Sequence, residues 1–247
     1  MLFTAIRIVR TFLTKLRDDS VSAFAAQAAF FIILSFIPFI MFLFTLLNFF
    51  PLTPGSLTRL PAGILSGTAA LWSASRGTLA LIRGLNAVYK HKETRNYFLI
   101  RAISMIYTFF FATLLIAALV LLVFGNRLYD WIMLQLPMLK DFVFLIMSLR
   151  SLGTIIILSL FFLLLYLVVP NRKSRFLKEL PGAILSAGGW MGFSFLFSFY
   201  IDHRKNTAFT YGGLTTLAFS MLWLYFCMYI LFVGAEINMF LSNGKDT

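Results

Sequence analysis

Charge is scarce in this chain of 247 residues: Asp, Glu, Lys and Arg together make up 12% of it. Soluble domains carry roughly 25% charged residues, so a water-soluble fold of this size would lack the polar surface to cover itself. Cysteine is nearly absent. With Cys227 alone there is no intramolecular disulfide and no thiolate metal cluster, and its apolar surroundings make it a small core residue. Acidic residues are few, nine against 21 Lys and Arg, and they are scattered. His91 and His203 are the two histidines, and no HExxH, P-loop or nucleophile elbow is present. A phosphodiesterase needs clustered ligands or an acid–base pair; the sequence therefore predicts no enzyme, no metal and no cofactor.

What the chain does have is apolar length. It is 60% hydrophobic, with a mean hydropathy of +0.90, and a membrane span needs about 20 mostly apolar residues. The expected fold is all-α, a polytopic membrane helix bundle forming one domain over 1–247. Strong spans are read at 24–50, 102–124, 152–169, 181–201 and 211–241. Arg7, Arg10, Lys15 and Arg17 precede the first apolar run. That run is too long for a signal-peptide core and lacks a clear cleavage site, so it reads as a retained signal anchor. Asp18, Asp19 and Ser20 can cap its start, and Pro38 should kink it.

The segment 60–89 is harder, because it holds Arg76 and Arg83 among many small residues. Loop charge settles its reading. The N-terminal tail, residues 90–101 and residues 171–180 are rich in Lys and Arg, whereas 125–141 and 202–210 are nearly balanced. The positive-inside rule places the first three in the cytoplasm and the last two outside. An even number of spans must then separate the tail from 90–101, which makes 60–89 the second of six, with both termini cytoplasmic. The competing arrangement has 24–50 as a re-entrant hairpin and 60–89 as an interfacial helix. The same charge distribution accounts for the net charge of +12 without a nucleic-acid partner. An echo between Leu60-Pro-Ala-Gly-Ile-Leu-Ser66 and Leu180-Pro-Gly-Ala-Ile-Leu-Ser186 has the opposite membrane sense, as a three-plus-three inverted repeat would produce; chance likeness of two helix starts is the alternative.

Ionisable groups within spans cost at least ~2.5 kcal/mol at a helix centre, so each is a candidate for function. Arg76 and Arg83 lie two turns apart on one face of a helix. Arg83 and Glu236 should both sit roughly 8–9 Å from the inner surface and could pair, with Arg76 about 10 Å deeper and lacking an acidic partner. That arrangement suits an anionic ligand; a structural ion pair with an arginine on backbone carbonyls is the alternative. Gln27, Asn86 and Asn238 are polar groups near the inner ends, able to line a vestibule or to bond across helices. Gly188 and Gly192 form a GxxxG suited to close packing, and Tyr211-Gly212-Gly213 is read as the turn entering the last span.

Several of these stretches carry a resemblance. Ala25-Ala-Gln-Ala-Ala-Phe-Phe31 with Leu34-Ser-Phe-Ile-Pro38, and Leu71-Trp-Ser-Ala-Ser-Arg76 with Asn86 and Tyr89, are two of them. Leu180-Pro-Gly-Ala183, Phe197-Ser-Phe-Tyr200, Leu222-Trp-Leu-Tyr225 and Gly234-Ala-Glu-Ile-Asn238 continue it in order. Over essentially its full length the chain resembles the YihY/virulence factor BrkB family, long labelled "ribonuclease BN". It stops sooner after Asn238 than many relatives. The resemblance implies a six-span inner-membrane protein linked to envelope biogenesis, with no firmly established activity. Three functions follow as expectations: transport or flipping of an anionic, lipid-like envelope substrate with membrane lipids as partners; cation/proton exchange at Glu236; or a non-transporting assembly scaffold.

Overall fold

Two helix breaks among the described residues are made by backbone geometry at polar residues. After α1 (Leu2–Asp18) the chain turns at Ser20, which takes a positive φ of 51° and offers its carbonyl to the amides of Ala23 and Phe24. Ser20 thereby occupies the N-cap expected for α2 (Val21–Asn48). After α3 (Leu60–Val88) the chain turns at Lys90, φ 54°, whose amide bonds the Ala87 carbonyl while His91 bonds that of Asn86. This is a Schellman closure with lysine where glycine is usual. The remaining helices are α4 (Tyr97–Gln135), α5 (Arg150–Val168), α6 (Phe176–His203) and α7 (Ala208–Asn243). The computed structural model describes residues 2–48, 60–135, 150–172, 174–203 and 208–243, and over these it is all-helical.

Four helical stretches among the described residues are long and apolar enough to cross a membrane: Val21–Leu46, Tyr97–Ile116, Phe176–Ile201 and Gly213–Ser242. Gly153–Val168 is a shorter apolar helix. α2 runs unbroken through Pro38, which removes the re-entrant reading of 24–50. Three boundaries differ from expectation. Residues 125–135, read as loop, continue α4. α6 begins at Phe176, so Pro181 falls inside it as its sixth residue, past the first four positions whose N–H groups have no helical partner. α7 begins at Ala208, so Tyr211, Gly212 and Gly213 lie in helix and do not form the entering turn.

The exterior is apolar. Ile37, Phe44, Leu114, Ile157, Phe195 and Leu214 are among many large side chains more than half exposed, far beyond the patch a soluble monomer tolerates. Hydrocarbon is the solvent that suits them. Inside, Phe162 and Tyr166 of α5, Phe232 of α7, and Ile82 and Leu85 of α3 are fully buried.

α6 and α7 pack antiparallel, through Phe193 with Phe226 (4.9 Å between ring centroids) near one end and Gly182 with Gly234 near the other. A Cβ on Gly182 would collide with the Gly234 carbonyl, and one on Gly234 with the Ser186 hydroxyl. The close approach therefore lies here and not at Gly188 and Gly192, where an added Cβ meets nothing within 4 Å. Helical period explains the correction. Gly182, Ser186, Gly189 and Phe193 fall on the stripe facing α7, and Gly188 and Gly192 fall beside it. Cys227 is buried, as expected.

Candidate functional site

Three arginines meet in one pocket. Gln27 and Phe31 from α2, Trp72, Arg76, Leu79, Ala80 and Arg83 from α3, and Tyr97 and Arg101 from α4 enclose about 230 Å³. No carboxylate lines it. Arg76 and Arg83 stand on one face of α3, as their spacing requires, but they are exposed to this opening and not sealed in the bundle. Neither forms an ion pair among the described residues. Arg101 is buried; one guanidinium nitrogen donates to the Trp72 carbonyl, the group lies 4.6 Å from the Trp72 ring centroid, and its Nε has no partner. Three like charges that share a small space repel, and an anion would relieve that repulsion.

The expected Arg83–Glu236 pair is not formed. Arg83 faces the pocket, whereas the next residue, Gly84, takes the Phe232 ring of α7; one helical step of about 100° separates the two directions. Glu236 is fully buried and is met instead by Lys15 of α1, with Nζ 2.6 Å from Oε1. Its Oε2 has no donor among the described residues. Asp19 pairs with Lys90 at 3.1 Å, and its Oδ2 is likewise buried without a donor.

Asn86 and Asn238 fall outside the arginine pocket and bind loops and backbone. Asn86 accepts from the Asn171 amide at 2.8 Å and donates to Glu93 Oε2 at 2.7 Å. Arg95 completes that loop, its Nε 2.7 Å from Glu93 Oε1. Burial pushes the Glu93 carboxyl up, but its bonds to Arg95 and Asn86 outweigh this and hold it below its ordinary value. Asn238 accepts from the Gly182 amide at 2.7 Å and donates to the Glu179 carbonyl and carboxylate. Glu179 is the centre of this hub. Its carboxylate takes Tyr89 Oη at 2.6 Å, Arg172 Nη2 at 2.5 Å, the Ser174 hydroxyl and Asn238 Nδ2 at 3.0 Å. The Arg172 guanidinium also lies 3.5 Å from the Tyr89 ring centroid.

Sequence reasoning passed over three residues that matter here: Arg101, counted as a loop charge at the margin of a span; Lys15, counted in the tail; and Glu179. The signal for Glu179 was present, since it is the acid within the otherwise basic stretch 171–180.

Comparison with known proteins agrees with the helix content and the apolar exterior. Residues 53–247 match the family model described as virulence factor BrkB. The chain is 30% identical to the putative ribonuclease-like protein YfkH of Bacillus subtilis, with 90% of each chain covered. It is 26% identical to a UPF0761 membrane protein of Aliivibrio salmonicida, over 92% of this chain and 81% of that one. A UPF0761 membrane protein of Chlorobium luteolum matches at 36% over 34% of this chain and 19% of its own length. No solved structure matches. A matched family model over most of the chain, a full-length bacterial relative and a lipid-facing helical exterior together place this chain in the virulence factor BrkB family of multi-pass membrane proteins.

Proposed function

We propose that this protein moves an anionic, lipid-like substrate of the cell envelope across the bacterial cytoplasmic membrane. The observation that carries this reading is the convergence of Arg76, Arg83 and Arg101 in one pocket lined by no acid. At about 230 Å³ the pocket is smaller than the roughly 300–1,000 Å³ of drug-sized sites, which suits a compact charged headgroup whose chains stay in lipid. Arginine is the residue for such a group, because its planar fork matches phosphate and carboxylate oxygens. The reading takes α2 to α7 as six spans with both termini inside, α3 being the least apolar crossing. It assigns no catalytic role to any side chain and no nucleic-acid partner.

The test is transport in reconstituted vesicles, using fluorescent phosphatidylglycerol and phosphatidylcholine as paired probes. Wild type should favour the anionic lipid. Removing one charge-assisted contact is worth about 1.5–3 kcal/mol, so Arg76→Ala should slow the anionic probe by roughly tenfold or more. Equal rates for Arg76→Ala and wild type would refute the role of Arg76. Reporter fusions at both termini test the topology, which fails if either end lies outside.

A second reading, cation/proton exchange, draws on the buried Glu236 and Asp19 oxygens that lack donors. It is weaker, because Lys15 already neutralises Glu236. Vesicles showing no cation-dependent pH change would dismiss it.

A further inference from the structure

α1 is set apart from the bundle by the Ser20 turn, and it has two different sides. Its inner side is anchored. Leu16 is buried, Phe12 meets Phe240 edge-on at 5.7 Å, and Lys15 reaches Glu236 while lying 5.6 Å from the Phe240 ring centroid. Its outer side carries Ile6, Arg10, Leu13 and Arg17, all exposed, with the two apolar residues more than half so. These four recur at i, i+4, i+7 and i+11, which is a single stripe of an α-helix. Apolar and basic side chains therefore alternate along one edge.

We propose that α1 lies in the plane of the membrane surface and that this stripe binds anionic lipid headgroups. At 17 residues the helix reaches about 25 Å, and with its arginines it is unsuited to cross the bilayer. An in-plane helix needs apolar side chains dipping below the headgroups and cations level with the phosphates. Ile6 and Leu13 supply the first, Arg10 and Arg17 the second, and long arginine stems can bend to the phosphate level. Charge chooses the occupant. Arg7, Arg10 and Arg17 form no ion pair among the described residues, and α1 holds no carboxylate before Asp18. Water alone would leave Ile6 and Leu13 uncovered, and a zwitterionic lipid would offer the three arginines phosphates but no net counter-charge. An anionic lipid surface answers both. Because Lys15 grips Glu236 from the other side of the same helix, lipid bound on α1 reaches the buried end of α7 through one rigid element. This proposal does not depend on the protein being a transporter.

The test uses the full chain, spin-labelled at Leu13→Cys, in nanodiscs of phosphatidylcholine with or without phosphatidylglycerol. Cys227 is buried, and labelling of the wild-type chain gives the background. The label should be accessible to oxygen and shielded from a water-soluble nickel chelate, with shielding several-fold greater when phosphatidylglycerol is present. Arg10→Gln with Arg17→Gln should abolish that difference; both positions are exposed, and an unchanged thermal transition checks the fold. Nickel access as high as at a solvated loop would overturn the proposal, as would a label shielded from both reagents, which would mean that protein covers α1. A phosphatidylglycerol effect that survives the double substitution would overturn the headgroup assignment.

Discussion

Glu179→Gln should destabilise this protein strongly, because its buried carboxylate takes four donors. The wild-type carboxylate accepts from Tyr89 and Asn238 on one oxygen and from Arg172 and Ser174 on the other. An amide must turn its NH2 toward one of these pairs; the hydroxyl there can turn to accept, but Asn238 Nδ2 or the Arg172 guanidinium is left donor facing donor. One bond to a charged group, worth about 1.5–3 kcal/mol, is lost and the others lose their charge assistance, and the residue is fully buried, so solvent screens little of it. With partial relaxation the cost is about 3 kcal/mol. For a chain of this size, roughly 2–4 °C follows each kcal/mol, giving a fall of about 10 °C in thermal transition. Glu93→Gln is the control, because Glu93 is partly solvated; its effect should be within about 1 kcal/mol. The assay is thermal unfolding of purified protein in one detergent, with both variants run beside wild type. A Glu179→Gln transition within about 2 °C of wild type, or no lower than that of Glu93→Gln, would refute the picture of a saturated buried hub.

Four further outcomes are expected. Lys15→Met strands the buried Glu236 carboxylate and should cost about 3–5 kcal/mol. Adding Glu236→Gln should recover much of that loss, and strict additivity of the two in a double-mutant cycle would show that they do not interact. Gly234→Ala forces the α6–α7 contact apart at a cost of about 1–3 kcal/mol, whereas Gly188→Ala and Gly192→Ala gain helix propensity of up to about 1 kcal/mol; denaturation in one detergent ranks all three. Glu93 is held below its ordinary value of 4.5, so its tie to Arg95 and Asn86 is in place above that value and is lost as pH falls through the lowered one. Protection of the 89–96 loop amides, taken relative to their intrinsic exchange rates, should fall only in that acid range, and loss of protection near neutrality would contradict the assignment.

Much of the site was legible residue by residue, but not its pairings. Arg76 and Arg83 were found because charge inside an apolar run is rare, and their shared face followed from spacing alone. Which neighbour they would meet did not follow. The Arg83–Glu236 pair rested on equal depth in two spans, and depth says nothing about rotation about a helix axis. The 100° step from Arg83 to Gly84 turned one to the pocket and the other to Phe232. The same limit applies at Gly188 and Gly192, where the small-residue pattern was real but the facing stripe ran through Gly182 and Gly234. Lys15 and Arg101 were read as loop charges because they flank spans, yet their long side chains fold back onto Glu236 and Trp72.

The sequence by itself determined that this is a helical membrane protein, because hydropathy and helix length are sums along the chain and need no partner. It also determined the family, since ordered motifs are a property of the string. Only the tertiary structure decided which charges meet: three arginines gathered from α3 and α4, a glutamate answered by α1, and Glu179 wrapped by two loops and α7. Those pairings depend on crossing position and on rotation about each helix axis. Both are fixed by where backbones can approach, as at Gly182 and Gly234, and neither is written in hydropathy.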